Sequence, residues 1–245
     1  QPSMRRAALR VALKGVGQMS EEALREKVIS TSRLMLSRGL TIGTSGNVSV
    51  RCEDGANFLI TPSGMDYDTV TPDDIVKVSA ATGERSGKRV PSIETGLHRG
   101  IYLARPDVGA VVHVHSPMAA GLAVARQPLP VIADMCALGF GGQVEVAEYG
   151  TSGSPELAAN VVKALGGRNA VLMANHGSLG VGTDLDQALF VCDLLEKMCL
   201  TYYCAILAGG AVPITDEAID SLKRGVGKTY GQPGGTLATY RRELT

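Results

Sequence analysis

The sequence has few aromatic residues, few histidines and no long apolar segment. Tryptophan is absent, phenylalanine occurs three times, and aromatic residues make up 4% of the chain. A membrane-spanning helix needs about 18 or more consecutive apolar residues, and the sequence contains no run of that length. We therefore expect no membrane segment and no membrane partner.

A net charge is also missing. Lys plus Arg and Asp plus Glu number 24 each, so no overall electrostatic field favours nucleic acid or an acidic membrane surface. The balance counts against a nucleic-acid partner. The five cysteines include no C-x-x-C pair and are odd in number, a pattern that is typical of free thiols in a reducing, cytoplasmic setting.

The 245 residues, 44% of them hydrophobic, are enough for one large domain with a sizeable core. Caps and periodicity predict alternating helices and strands, hence a single mixed α/β domain. Ser92 is predicted to cap a helix that ends near residue 104. The other predicted helices cover about residues 20–38, 154–165 and 184–207, and a further one begins at 116–117. The predicted strands are 47–51, 57–61, 75–79, 110–115, 144–147 and one that ends near 174. A polar turn is predicted at 80–88.

Three of the four histidines stand at the ends of apolar segments. His113 and His115 form an H-x-H pair after one such segment, and His176 follows another. Side chains two residues apart in a strand point to the same face, so the pair can present two imidazoles to one ion, and a second strand end can bring His176 alongside. Neutral imidazole is a common zinc ligand. The alternative is three partly buried, hydrogen-bonded histidines; His98 is predicted to lie on a helix and to be structural.

Two glycine-rich turns are candidates for anion binding. One is Gly43-Thr44-Ser45-Gly46-Asn47, which enters a strand, and the other is Thr61-Pro62-Ser63-Gly64, which leaves one. Successive backbone N–H groups in such turns form anion-binding concavities. Together with the predicted helix start at Ser92 they would make a phosphate cradle, although most isolated turns of this kind are only turns.

The segment Pro91-Ser92-Ile93-Glu94 places a carboxylate in the first turn of the predicted helix. Such a residue can simply interact favourably with the helix dipole. Near a metal, however, Glu94 could serve as a ligand or as a base that removes a proton next to a carbonyl.

Taken in order, five motifs resemble those of the class II aldolase/adducin family. They are G-T-S-G-N-V-S, T-P-S-G, P-S-I-E, H-V-H-S and N-H-G, and the resemblance spans roughly residues 20–207. Within the family the chain is most similar to the branch that cleaves ketose 1-phosphates such as L-fuculose 1-phosphate. The resemblance implies a single α/β domain with a central, mainly antiparallel sheet flanked by helices. It also implies a ring-shaped homotetramer with active sites between neighbouring subunits.

The resemblance assigns roles by position. His113, His115 and His176 would bind one Zn²⁺ (or another divalent metal) per chain, and Glu94 would be the fourth ligand at rest and the acid/base during turnover. Gly46, Asn47, Ser63, Gly64 and Ser92 would hold the substrate phosphate. The implied reaction is cleavage of a ketose 1-phosphate to dihydroxyacetone phosphate and an aldehyde through a metal-stabilised enediolate, in which the metal supplies the electrophile.

Two positions depart from the pattern of the fuculose-type enzymes. Ile93 stands where those enzymes have a second phosphate-binding serine, which leaves open a different anionic keto substrate. Asp134 falls about where they carry a catalytic tyrosine, so it is a candidate catalytic residue, the alternative being a carboxylate on a surface loop. The C-terminal Tyr230 and Tyr240 are candidates for the family's aromatic contribution from the tail.

The alternatives to an aldolase share the same site. A sugar-phosphate 4-epimerase and a metal-dependent decarboxylase stay open, and the retained histidines argue against a non-catalytic, adducin-like interaction protein. The predicted organisation is an N-terminal extension over residues 1–19, an aldolase-like domain over 20–224 and a C-terminal tail over 225–245 that is a candidate to complete a neighbouring active site.

Overall fold

A computed structural model describes residues 19–229, with side chains as far as residue 225. Within this range one sheet is flanked by helices. The helices are α1 (Glu21–Ser37), α2 (Thr95–Ala104), α3 (Pro117–Ala125), α4 (Asp134–Phe140), α5 (Pro155–Leu165), α6 (Leu185–Leu207) and α7 (Asp216–Thr229). The strands are β1 (Asn47–Arg51), β2 (Asn57–Ile60), β3 (Val76–Ser79), β4 (Arg85–Ser86), β5 (Ala110–Val114), β6 (Val146–Ala147), β7 (Ala170–Met173) and β8 (Gly177–Gly182).

The eight strands of the described range form one sheet in the order β4-β3-β2-β1-β5-β8-β7-β6. Every neighbouring pair is antiparallel except β6 and β7, which are parallel. The expectation of a single α/β domain with a mainly antiparallel central sheet is therefore confirmed. The middle of the sheet is formed by β1, β5 and β8, and Asn47 of β1 is paired directly with His113 of β5.

Alternation along the central strands decides which side chains face which helices. Val112 and Val114 of β5 pack with α1 and α6 in one core cluster, whereas Val111 packs with α2 and α5 in another. His113 is two residues from Val111 and therefore faces α2. By the same rule β1 turns Asn47 and Ser49 toward α2, because Val48 belongs to the cluster with α1. The sheet face below α2 thus carries polar side chains.

Several predicted boundaries are corrected by the structure. Ser92 is not the N-cap of α2, because the helix begins at Thr95 with Glu94 at the N-cap position. Ser92 lies in the turn before it, where its hydroxyl accepts from the Glu94 amide and its own amide donates to Thr61. The predicted polar turn at 80–88 contains the short strand β4, and β8, α4 and α7 were not predicted. Helix α7 continues to Thr229, and the division of the chain into an extension, a domain and a tail stays a prediction.

The described residues 19–229 include no helix with both the length and the apolar character that crossing a membrane requires. All five cysteines are free thiols, as predicted. Tyr230 and Tyr240 lie outside the described residues, and so does most of the N-terminal extension predicted over residues 1–19.

Candidate active site

The three predicted histidines meet at one end of the central strands. His113 lies on β5, His115 follows the end of that strand, and His176 lies in the turn between β7 and β8. One ring nitrogen from each lies within 4.8 Å of the others, and the Nε2 atoms of His113 and His115 are 2.9 Å apart. The convergence predicted from the sequence is present, and the cluster is able to hold a metal ion.

Burial and hydrogen bonding prepare His113 to bind a cation. Its Nδ1 lies 2.9 Å from the carbonyl oxygen of Ser178, which can only accept, so Nδ1 carries the proton and Nε2 carries the lone pair. The side chain is completely buried, and this burial lowers the pKa of His113 to about 4. Burial also lowers the pKa of His115. At neutral pH His113 and His115 are therefore neutral imidazoles, the form that binds metals.

Glu94 adds a carboxylate to the cluster. It is 2% exposed, its Oε2 lies 3.1 Å from Nε2 of His113, and its Oε1 lies 3.3 Å from Nε2 of His176. Asn47 Nδ2 donates to Oε2 at 3.1 Å, and the Ser152 hydroxyl donates to Oε1 at 2.8 Å. Burial alone would raise the pKa of Glu94, but its interactions with His113 and His176 and its two hydrogen bonds outweigh burial and lower the pKa to about 2.

This donor set fits a divalent metal. An ionised carboxylate oxygen faces the lone pair of His113 at 3.1 Å, and two acceptors at that distance are stable only with a cation or a proton between them. Three imidazoles and one carboxylate form the type of nitrogen and oxygen set that zinc and similar divalent ions accept. The residues present therefore suit the metal that the resemblance implies.

The glycine-rich turn before β1 lies directly beside the cluster. Gly46 has a positive φ of 75°, and a Cβ built on it would lie 2.7 Å from the backbone oxygen of His113. Only glycine fits this close approach. The Tyr67 hydroxyl donates to the Gly46 carbonyl at 2.7 Å and fixes the turn from the other side.

The second turn and the segment before α2 are also brought together. Pro62 and Pro91 form an antiparallel bridge, the amide of Ser63 donates to residue 90, and the amide of Ser92 donates to Thr61. Gly64 has a positive φ of 65°, and the Ser63 side chain is exposed. The candidate phosphate residues of these two segments therefore lie side by side.

Asp134 and Ile93 are the two positions at which the sequence departs from the family pattern. Asp134 is the first residue of α4 and is exposed, and within residues 19–229 of a single chain it forms no hydrogen bond or ion pair with Glu94 or the histidines. Ile93 is 65% exposed, which is unusual for a large apolar side chain next to a buried carboxylate. The catalytic role of Asp134 stays a prediction.

Two contributors were not found from the sequence. Ser152 lies in an irregular loop before α5, and no pattern in the sequence connects that loop to Glu94. Gly177 opens β8 directly after His176, and a Cβ on it would lie 2.6 Å from His115 Cδ2. The glycine after a predicted ligand is the only sequence signal that could have indicated this close packing.

Comparison with known proteins shows the family to which the chain is similar. The Class II Aldolase and Adducin N-terminal domain matches residues 26–203. A 5-methylthioribulose-1-phosphate/5-deoxyribulose-1-phosphate aldolase of Rhodospirillum rubrum is 38% identical over 86% of the chain and 94% of its own length. The L-fuculose phosphate aldolase of Haemophilus influenzae is 35% identical over 87% of the chain and 97% of its own length.

Among solved structures, an L-fuculose 1-phosphate aldolase superposes with a TM-score of 0.80 at 36% identity, covering 84% of this chain and 97% of that one. The fold and the site thus define an enzyme of the aldolase class, a carbon–carbon lyase. The chain belongs to the class II aldolase and adducin family. The resemblance inferred from its five motifs is confirmed.

Proposed function

We propose that the chain is a zinc-dependent aldolase that cleaves a ketose 1-phosphate to dihydroxyacetone phosphate and an aldehyde. The observation that supports this most directly is the position of Glu94, whose two carboxylate oxygens lie 3.1 and 3.3 Å from the Nε2 atoms of His113 and His176. A buried carboxylate against metal-competent imidazoles is the arrangement that proton transfer next to a polarised carbonyl requires.

His113, His115, His176 and Glu94 would hold the metal. When bound, the metal would supply electrophilic stabilisation of the negative charge that develops on the substrate oxygens. His113 is fixed for this task because its Nδ1–H donates to the Ser178 carbonyl. Ligands held by such partners keep their tautomer and their ring orientation.

Glu94 would act on the proton at C3 of the substrate. In cleavage the C3–C4 bond breaks, the hydroxyl on C4 loses a proton as the aldehyde forms, and C3 gains one, so protons are only moved. Glu94 would deliver the proton to C3 and, in the reverse condensation, remove it. Asp134 is our candidate for the proton of the C4 hydroxyl, contributed from the position where it begins α4.

Gly46, Asn47, Ser63, Gly64 and Ser92 would bind the substrate phosphate. The bridge between Pro62 and Pro91 holds two of the three segments side by side, which supports one shared anion site. Binding energy at the phosphate, remote from the reacting carbons, would orient C3 and C4 toward Glu94 and the metal.

The candidate substrates would all yield the same phosphorylated product and differ in the aldehyde that is released. Cleavage between C3 and C4 of any ketose 1-phosphate leaves dihydroxyacetone phosphate, so L-fuculose 1-phosphate, 5-deoxyribulose 1-phosphate and 5-methylthioribulose 1-phosphate differ only in the aldehyde. The names of the relatives from Rhodospirillum rubrum and Haemophilus influenzae support all three. A screen that detects dihydroxyacetone phosphate therefore covers the whole class, and identification of the aldehyde then distinguishes its members.

Replacement of Glu94 tests the mechanism. In Glu94→Gln the three histidines remain, so we expect metal analysis to give about one ion per chain, as in the wild type. The turnover number should fall at least about 100-fold because the amide cannot move a proton. The matched control is Glu156→Gln on the exposed side of α5, which should leave both values unchanged.

Two results would contradict the proposal. Wild-type protein that contains no metal and is insensitive to chelators would exclude the metal mechanism, and full activity of Glu94→Gln would exclude Glu94 as the acid/base. The same screen separates the alternatives, because a decarboxylase would release carbon dioxide from a 3-keto acid phosphate and an epimerase would interconvert pentulose phosphates without an aldehyde. A chain that binds metal and turns over none of them would favour an adducin-like binding role.

We also propose that the enzyme works in the cytoplasm as a homotetramer. Five free thiols are compatible with a reducing compartment. Light scattering coupled to size-exclusion chromatography would measure the mass of the assembly, and a monomeric, fully active enzyme would contradict active sites shared between subunits.

A further inference from the structure

A chain of buried hydrogen bonds leads from α2 through β1 to Glu94. Its centre is His98, which is completely buried on the helix face that covers β1. The Tyr102 hydroxyl lies 2.8 Å from the Ser49 hydroxyl oxygen, and this oxygen lies 2.6 Å from Nδ1 of His98. On the other side of the ring, Nε2 of His98 lies 2.5 Å from Oδ1 of Asn47.

The last link joins this chain to the proposed acid/base. Asn47 Nδ2 donates to Glu94 Oε2 at 3.1 Å. Glu94 and His98 are four residues apart at the start of α2, so they lie on the same side of the helix. Asn47 and Ser49 are two residues apart on β1 and face the same side of the strand. The two ring nitrogens of His98 therefore contact two successive side chains on the same face of β1.

Chemistry allows only one direction of donation along this chain. The ionised Glu94 can only accept, so the amide group of Asn47 must donate to it and Asn47 must turn its oxygen toward His98. That oxygen can only accept, so His98 must carry its proton on Nε2. Its Nδ1 is then an acceptor, which the Ser49 hydroxyl satisfies, while Tyr102 donates to Ser49. Every group in the chain is paired, and reversing the Asn47 amide would set its oxygen against the carboxylate of Glu94, which can only accept.

We propose that His98 is a positioning residue of the enzyme, which fixes the orientation of the Asn47 side chain so that Asn47 holds Oε2 of Glu94. In this arrangement the Asn47 side chain serves the carboxylate, and its contribution to the phosphate is limited to its remaining N–H and its backbone. The inference rests on the proposed function only in that Glu94 is the group that moves the proton.

The hydrogen-bond partners of His98 define what its ring must supply. The side chain is completely buried, and its two nitrogens face the Asn47 oxygen, which can only accept, and the Ser49 hydroxyl. A neutral imidazole supplies one donor and one acceptor, which match Asn47 and Ser49. An apolar side chain of similar size would fill the space and leave the Asn47 oxygen without its partner.

Two variants of His98 separate positioning from packing. His98→Gln keeps an N–H that can reach Asn47, whereas His98→Leu keeps volume and removes both hydrogen bonds. For His98→Leu we expect the turnover number to fall about 10- to 100-fold with KM and metal content changed less than about threefold, the size of effect known for partners of site ligands. His98→Gln should recover most of the turnover number.

Val161→Ala provides the control for stability. Val161 is fully buried on α5 in the core cluster that also contains Tyr102, but it takes no part in the hydrogen-bond chain. This variant should lower the melting temperature and leave the turnover number unchanged. Equal losses of activity in Val161→Ala and His98→Leu would overturn the proposal, because the effect of His98 would then be one of packing alone.

A second measurement does not depend on activity. In metal-free protein with ¹⁵N-labelled histidine, NMR should show His98 as the neutral tautomer with its proton on Nε2, and His113 with its proton on Nδ1. The side-chain N–H signals of Asn47 should shift in Glu94→Gln and in His98→Leu but not in Val161→Ala. A proton on Nδ1 of His98 would overturn the proposal even if the enzyme is active. If His98 has the predicted tautomer but the protein is inactive, the proposed function is wrong and the positioning of Asn47 by His98 is not.

Discussion

Gly177 carries the chain from His176 into β8 and passes very close to the other two histidines. Replacing it with alanine tests whether this close approach holds the cluster together. A Cβ at this position would lie 2.4 Å from the Val114 carbonyl oxygen and 2.6 Å from His115 Cδ2, whereas ordinary van der Waals contact begins near 3.4 Å. Gly177 is not among the residues with positive φ, so the contacts, and not the backbone conformation, determine the cost.

The magnitude follows from these distances. Relieving them requires β8 or the His115 ring to move by roughly 1 Å, while a working metal site tolerates ligand displacements of only about 0.2 Å. Overpacking by one methyl group in a tight site costs about 1–3 kcal/mol of unfolding free energy. For a chain of this size that corresponds to a melting temperature lowered by about 2–12 °C. We also expect at least about tenfold weaker zinc binding, because ligand geometry is disturbed.

Thermal unfolding of the metal-free protein and competition with a chelating dye measure the two effects separately. The matched control is Gly167→Ala, at an exposed glycine in the turn after α5 where an added Cβ meets nothing within 4 Å. It should behave like the wild type in both assays. If Gly177→Ala keeps both the melting temperature and the zinc affinity of the wild type, the close approach does not organise the cluster and the reasoning is refuted.

Two further predictions concern hydrogen bonds to carboxylates. The hydrogen bond from Ser152 lowers the pKa of Glu94, so Ser152→Ala should shift the acid limb of the pH profile of kcat/KM to higher pH. The rate should fall about three- to tenfold, the effect expected for one hydrogen bond from an exposed loop to a charged group. An unchanged pH profile would contradict this prediction. Asp74 is buried and accepts from the Thr71 hydroxyl at 2.7 Å and from Arg89 at 2.7 Å, which lowers its pKa from 3.8 to about 2. The resulting stability is present above the ordinary pKa and is lost as the pH falls through the folded-state value. Asp74→Asn should therefore lower the free energy of unfolding by about 1 kcal/mol at pH 7, after allowance for screening by solvent. Urea unfolding should show this difference from the wild type disappearing between about pH 4 and pH 2. A difference that persists in acid would show that the carboxylate charge is not its source.

The sequence was sufficient to predict the histidine cluster because strand geometry is regular. Two side chains separated by one residue in a strand point the same way, so His113 and His115 had to converge if their segment was a strand. The position of His176 followed from the end of a second apolar segment. The structure confirms the convergence, with His115 directly after β5 and His176 in the turn after β7.

The strand that follows His176 could not be predicted, for a physical reason. The segment of β8 contains three glycines, a residue type that weakens strands and usually marks turns. Here the absence of side chains is what allows α6 and the neighbouring strand to pack closely, since a Cβ at Gly180 would lie 2.8 Å from the Ala188 carbonyl. The low strand propensity of glycine therefore argued against β8, although tertiary packing requires glycines in this strand.

Contacts that depend on tertiary structure were also out of reach. The Ser152 loop approaches Glu94 only after α2 and α5 have packed together, and nothing in its composition indicates this. His98 was correctly placed on a helix, but its two hydrogen-bond partners depend on which face of β1 lies under α2. The start of α2 was misjudged because Ser92 has the residue type of a helix cap. Its hydroxyl does accept from the Glu94 amide, but this bond closes the turn that precedes the helix.

The candidate metal ligands lie on different segments of the chain, so metal binding is coupled to folding. Glu94, His113 and His176 come from three separate segments of the chain, which the folded protein brings together. An unfolded chain cannot present them together, so an ion that binds there stabilises the native state alone. Five cysteines form no disulfide in this chain. A bound ion would therefore be its reversible cross-link, closing long loops through the middle of the sheet, and a chelator would open that cross-link without cutting a covalent bond.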